Sequence, residues 1–189
     1  MNAHAHLDAD LRRLLTRWQA PTSAQERLRS DFLAHLDTHE DPSGAGSGSP
    51  TAKAGPPAHF TASCLVVDAA GERVLLTLHR KVGRWLQFGG HIEPGDGSIA
   101  QAALREATEE SGLPAGSLRL RPHLAQLDRH ALGSGFTRCT EHLDLRWIAV
   151  ADDGAEPVAS PESLDVAWWP VAALPPGIED SIRELVALA

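Results

Sequence analysis

The chain has 189 residues, enough for one ordinary domain and an appendage. At 42% hydrophobic and 22% charged it is not disordered in bulk, and no apolar run reaches the roughly 18 residues of a spanning helix. A formal charge of −8 argues against broad duplex-nucleic-acid binding, but a phosphate ligand can still be met through a metal.

Residues 1–40 read as a small helical extension. Leu11, Leu14, Leu15 and Trp18 recur at helical spacing, and Leu28, Phe32, Leu33 and Leu36 do so again. Pro21 separates the runs, and Ser23 with Glu26 has capping-box spacing for the second. His4 and His6 fall in a terminus expected to fray. Residues 41–57, DPSGAGSGSPTAKAGPP, hold eleven Gly, Pro or Ser in seventeen, which favours a linker or long loop.

From residue 58 to 189 the pattern changes. FTASCLVVD and RVLLTLH are strand-like runs joined by a DAAGE hairpin turn. HRKVGRWLQFGG follows, then a helical pattern over Ser98–Ser111. LRLRPHLAQLD, HLDLRWIAV and a short VAWW supply further strands. GIEDSIRELVALA closes as a helix striped by Ile178, Ile182, Leu185 and Leu188. The order predicts an α/β sandwich around a mixed sheet. Cys64 and Cys139 suit incidental thiols, and the absence of a leader pattern points to a cytoplasmic chain.

The window GGHIEPGDGSIAQAALREATEESGL, residues 89–113, carries the chemistry. On its helix Glu106, Glu109 and Glu110 share one face. Packed carboxylates repel, so each is harder to ionise and something positive must offset them. A hard divalent ion, Mg²⁺ or Mn²⁺, does so with oxygen ligands. Gly89, Gly90, Gly95 and Gly97 allow a tight loop near such an ion, and Glu93 adds an acidic contact. Gly112 sits where the helix can end in a left-handed conformation.

This window resembles the Nudix box of the Nudix hydrolases. Arg105, Glu106, Glu109, Glu110, Gly112 and Leu113 occupy the named positions of its second half, and Ala107 replaces a bulky aliphatic residue. In the first half, Asp96 stands in place of glutamate, and the loop to Arg105 is one residue longer than the pattern. The resemblance implies an α/β/α sandwich over residues 59–189 and hydrolysis of a nucleoside diphosphate linked to another moiety. It implies that Glu106, Glu109, Glu110 and the Gly90 carbonyl hold the metal, with Arg105 fixing the glutamates. A later acid commonly assists, and Glu162 and Glu141 both stand as candidates.

Other residues are weaker candidates for substrate contact. His142, Asp144 and Arg146 share a strand face, which lines a pocket or meets solvent. Asp128 and His130 have the same alternation. His91 approaches phosphate or serves a local turn, and Trp85 or Trp168–Trp169 either stack on substrate or pack in the core. The expected partner is a small nucleotide-like diphosphate, with no duplex nucleic acid, no membrane, and a homodimer allowed. Two rival readings are an isomerase of related architecture, which lacks its cysteine near QFGGH here, and a non-catalytic nucleotide sensor.

Overall fold

Helices give way to strands after the Gly/Pro/Ser-rich stretch, as the change of apolar period requires. The computed structural model describes residues 3–39, 48–133 and 139–189. Helices α1 (Ala5–Arg17) and α2 (Ser23–His39) come first. Strands β1 (Ala58–Val67), β2 (Arg73–His79), β3 (Trp85–Leu86) and β4 (Phe88–His91) lead to helix α3 (Ile99–Ser111). Strands β5 (Leu118–Leu120), β6 (Gln126–Ala131), β7 (Glu141–Ala151) and β8 (Ser163–Pro170) precede helix α4 (Asp180–Val186). The described strands form one sheet in the order β3-β2-β1-β7-β5, with β4 on β1, β6 on β7 and β8 on β2. The fold class is therefore the expected α/β one. No helix among the described residues is long and apolar enough to cross a membrane.

The chain groups into two compact units, and both β1 and β7 run through each. The first unit comprises Met1–Ala62, His91–Ala102 and Gln126–Leu145. Here α1 buries Leu7, Leu11 and Leu15, and α2 buries Phe32 and Leu36. Phe32 meets Phe60 of β1 edge-on, with ring centroids 5.5 Å apart. Gln25 clamps α2 to β6: its Oε1 accepts the Leu127 N–H at 2.7 Å, and its Nε2 donates to the Leu127 carbonyl at 2.9 Å. The cap of α2 is one residue earlier than expected. Thr22 Oγ1 accepts the Gln25 N–H at 3.2 Å, while Glu26 turns to Arg29. His4 and His6 are not frayed, because His4 is buried and His6 Nε2 lies 2.8 Å from the Asp96 carbonyl oxygen. Of the expected linker, residues 41–47 lie outside the described residues. Ser49 and Thr51 at its described end are buried and donate hydroxyl hydrogen bonds to Asp8 Oδ1 at 2.6 and 2.7 Å.

The second unit comprises Ser63–Gly90, Ala103–Ala125 and Arg146–Ala189. Its core joins Leu65, Val67, Val74, Leu76 and Ile148 from the sheet to Ile178, Ile182 and Leu185 around α4. Leu188 is exposed, since α4 ends before it. Asp68 shapes the β1–β2 hairpin by accepting the N–H groups of Glu72 and Arg73 at 2.8 and 3.1 Å. The expected LRLRPHLAQLD strand is split into β5 and β6 around Pro122, which has no N–H to give a ladder. Buried Cys64 has its thiol pushed up by burial, which suits an inert core residue.

Helix α3 is pinned at its start. Ser98 Oγ accepts the Gln101 N–H at 3.1 Å, and Asp10 Oδ2 of α1 accepts the Ile99 N–H at 2.9 Å. Two of the four orphan donors of a helix start are thereby satisfied. Asp10→Ala is expected to destabilise the protein by about 1 kcal/mol, the usual worth of a lost cap acceptor, and Asp10→Asn by less. Equilibrium urea unfolding reads both, and equal stability of Asp10→Ala and wild type would remove this role.

Candidate active site

Alanines set the depth of α3. Ala102, Ala103 and Ala107 are fully buried, and their small side chains let the helix approach closely while Arg105, Glu106, Glu109 and Glu110 lie on its other faces. The helix stops at Gly112, whose φ of +63° is left-handed. A side chain there would collide with the Val158 carbonyl, and the Val158 N–H donates to the Ser111 carbonyl at 2.9 Å. Length and rotation of the acidic face are thus fixed at both ends.

The carboxylates have graded environments. Arg105 Nη1 donates to Glu106 Oε1 at 3.0 Å and to Glu109 Oε2 at 3.2 Å. The Glu106 side chain is 14% exposed and that of Glu109 is 61% exposed. Glu110 is reached from the backbone instead, with the Gly89 N–H donating to its Oε2 at 3.1 Å. Burial pushes the Glu110 carboxyl up to about 7. The Gly89 hydrogen bond opposes the rise, and the charges of Glu106, Glu162 and Glu109 add to it. The later-loop acid whose charge reaches Glu110 is thus Glu162. Glu141 is engaged elsewhere, because Arg129 Nη2 lies 2.8 Å from its Oε2 and holds its carboxyl below the usual range.

Gly90 faces the same helix. A Cβ on it would lie 2.8 Å from the Glu106 carboxyl group and would push that carboxyl group aside. Clustered carboxylates beside the Gly89–Gly90 backbone have the donor chemistry of a hard divalent cation. Two supporting contacts give no sequence signal beyond residue type. The Gly89 N–H is a backbone group. Arg80 fastens the loop of Glu162 by donating to the carbonyls of Glu162, Pro161 and Ser163 at 2.9, 3.0 and 3.0 Å.

The remaining candidates have other surroundings. Trp85 meets Trp169 edge-on at 5.3 Å, and both pack on the apolar core. Glu93 is exposed, and its N–H donates to Asp96 Oδ2 at 2.8 Å, closing the Pro94–Gly95 turn. Asp144 and Arg146 are buried rather than at a solvent face, and Asp144 Oδ1 accepts the Thr61 hydroxyl at 3.0 Å. Asp128 Oδ2 lies 2.9 Å from His130 Nδ1. His91 and His142 join a group of rings that sequence spacing did not assemble. His142 has its centroid 5.2 Å from His59, 5.4 Å from His91 and 5.4 Å from His130. Burial is the main cause that brings His91 down to about 3 and His142 to about 4.

Comparison with known proteins places this geometry in a family. The NUDIX domain model matches residues 57–189. An oxidized purine nucleoside triphosphate hydrolase of Danio rerio is 31% identical over 117 residues, covering 59% of this chain and 67% of the relative. An asymmetrical bis(5'-nucleosyl)-tetraphosphatase of Sus scrofa is 40% identical over 55 residues, 29% of this chain and 37% of the relative. The fold resembles that of an Ap4A hydrolase from C. elegans solved as a binary complex, with TM-score 0.54 and 18% identity over 68% of this chain and 93% of that one.

The buried Glu110 gives stability a pH dependence. Below pH 4.5 the group is protonated whether the chain is folded or not. Between 4.5 and about 7 the unfolded chain ionises it while the folded chain keeps the proton, so stability falls as pH rises. With chelator present, Glu110→Gln is expected to gain on wild type across that window, levelling off above pH 7 at on the order of 3 kcal/mol. Denaturant unfolding from pH 4 to 8 measures the difference, and parallel curves would refute the buried charge.

Proposed function

The chain belongs to the Nudix family, whose pyrophosphohydrolases act on phosphorus-containing anhydrides, and we propose that it hydrolyses a nucleoside diphosphate linked to a further group. The observation that carries this reading is the convergence of Glu106, Glu109 and Glu162 on the electrostatics of Glu110, beside the Gly89–Gly90 backbone. Glu106, Glu109, Glu110 and the Gly90 carbonyl would hold Mg²⁺ or Mn²⁺, which supplies charge neutralisation at phosphate oxygens and a more acidic water. The protein groups account for the rest. Arg105 keeps the Glu106 and Glu109 carboxylates in register, and the Gly89 N–H orients Glu110. Glu162, held by Arg80 through its loop, takes the proton of the attacking water as oxygen bonds to phosphorus. The bridging P–O bond breaks, and the electron pair leaves with the departing phosphate.

The names of the two sequence relatives, hydrolases of a nucleoside triphosphate and of a dinucleoside polyphosphate, support this substrate class. Both present a nucleoside on a polyphosphate chain, the substrate proposed here.

A direct test incubates the purified chain with Mg²⁺ or Mn²⁺ and nucleoside triphosphates, oxidised purine triphosphates, dinucleoside polyphosphates, nucleotide sugars and ADP-ribose. Selective turnover is expected, abolished by chelation and nearly lost in Glu109→Gln and Glu110→Gln. Glu162→Gln is expected to lower kcat about 10²-fold or more, the usual worth of a general base, with KM little changed. Nucleotide binding without turnover across the panel would mark a sensor instead. Full activity in both box variants would overturn the assigned site.

A further inference from the structure

Within the first unit, a thiol and several imidazoles meet without any role in the reaction above. His59 lies on β1, Cys139 just before β7, and His142 on β7. Each offers a ligand atom, and these atoms all lie within 4.8 Å of one another. Cys139 Sγ is 3.5 Å from His59 Nε2. Bond lengths of about 2.3 Å to sulfur and about 2.0 Å to nitrogen put the S–N edge of a tetrahedral zinc site at about 3.5 Å, so this pair already has the required spacing.

Two further observations point to a ligand. His59 is buried, and its Nδ1 lies 3.1 Å from the Pro56 carbonyl oxygen. A carbonyl accepts only, so Nδ1 carries the proton, and the lone pair is left on Nε2, which lies 3.5 Å from Cys139 Sγ against 3.7 Å for Nδ1. This is the outer-shell arrangement that fixes the tautomer of metal-bound histidines. His142 Nε2, in turn, is buried with no hydrogen-bond partner, a state that costs free energy unless something occupies it. Ring stacking does not relieve it, since neither His59 at 53° nor His91 at 89° to the His142 ring offers a bonded atom.

We propose that His59, Cys139 and His142 bind Zn²⁺ or a similarly thiophilic divalent cation, in a site distinct in donor chemistry from the carboxylates of α3. Nitrogen and sulfur donors select such ions over Mg²⁺. On binding, the Cys139 thiol releases its proton to solvent and its sulfur bonds to the metal as thiolate, while both imidazoles bind as neutral rings. Three protein ligands leave the fourth tetrahedral corner to a water oxygen. The His91 ring, with its centroid 5.2 Å from that of His59, borders the trio.

Cobalt titration of the full chain tests this. The background is Glu109→Gln with Glu110→Gln, which removes oxygen ligands of the other site, and bound metal is first stripped by chelator. One Co²⁺ per chain is expected, with a thiolate-to-cobalt charge-transfer absorption that Zn²⁺ displaces. Cys139→Ser is expected to abolish that absorption. It should also weaken Zn²⁺, measured by competition with a chromophoric chelator, by more than the roughly 100-fold that an outer-shell loss causes. His142→Gln keeps the thiol and is expected to weaken Zn²⁺ comparably, so the test survives if one variant misfolds by circular dichroism. No charge-transfer absorption in the parent, or its persistence in Cys139→Ser, would overturn the site.

Discussion

Glu110 is largely withdrawn from water, and the negative charges of Glu106, Glu109 and Glu162 bear on it while one backbone N–H opposes them. An ionised carboxylate in that setting requires a cation or must keep a proton. The helix dipole sharpens the constraint. Glu109 and Glu110 sit in the last turn of α3, where the dipole is negative, and that helix has no acidic residue in its first turn and no basic residue in its last. Arg105 offsets Glu106 and Glu109 from the side. A helix charged against its own dipole is less stable alone, and such a local conflict is characteristic of a functional site.

The neighbouring structure keeps that conflict in place. Asp10 and Ser98 hold the start of α3, the buried alanines fix its depth, and Gly112 ends it where Val158 closes in. Gly90 leaves space where any side chain would press on the Glu106 carboxylate. Each is a small steric or hydrogen-bonding constraint. Together they prevent the carboxylates from relaxing apart, the response that repulsion alone would drive.

Much of this was legible in the sequence because it depends on periodicity and spacing. The α3 carboxylates, the left-handed Gly112, the hairpin after Asp68 and the α4 stripe through Leu185 all follow from local rules. What was not legible depends on contacts distant in sequence. Nothing local says that Asp10 reaches Ile99, that Gly89 rather than a side chain serves Glu110, or that Glu162 rather than Glu141 acts on it. The strand face of Asp144 and Arg146 left two readings open for a related reason. Alternation says which residues share a face, and only packing says whether that face meets water; here both residues are buried. The same blindness hid the approach of His59, on β1, to Cys139 and His142, which stand three residues apart in a distant stretch of chain.

Donor chemistry finally separates what composition had merged. The net charge of −8 said only that phosphate must be met through something positive. The acids that matter are clustered oxygen donors on one helix and one later loop, and hard cations favour such sets. The imidazoles and thiol of His59, Cys139 and His142 are nearly uncharged before binding and contribute almost nothing to that total. A charge count therefore detects the first kind of cation site and is silent on the second. For the second kind the informative sign is an unsatisfied buried nitrogen, because a polar atom denied both water and partner has a free-energy reason to take a ligand.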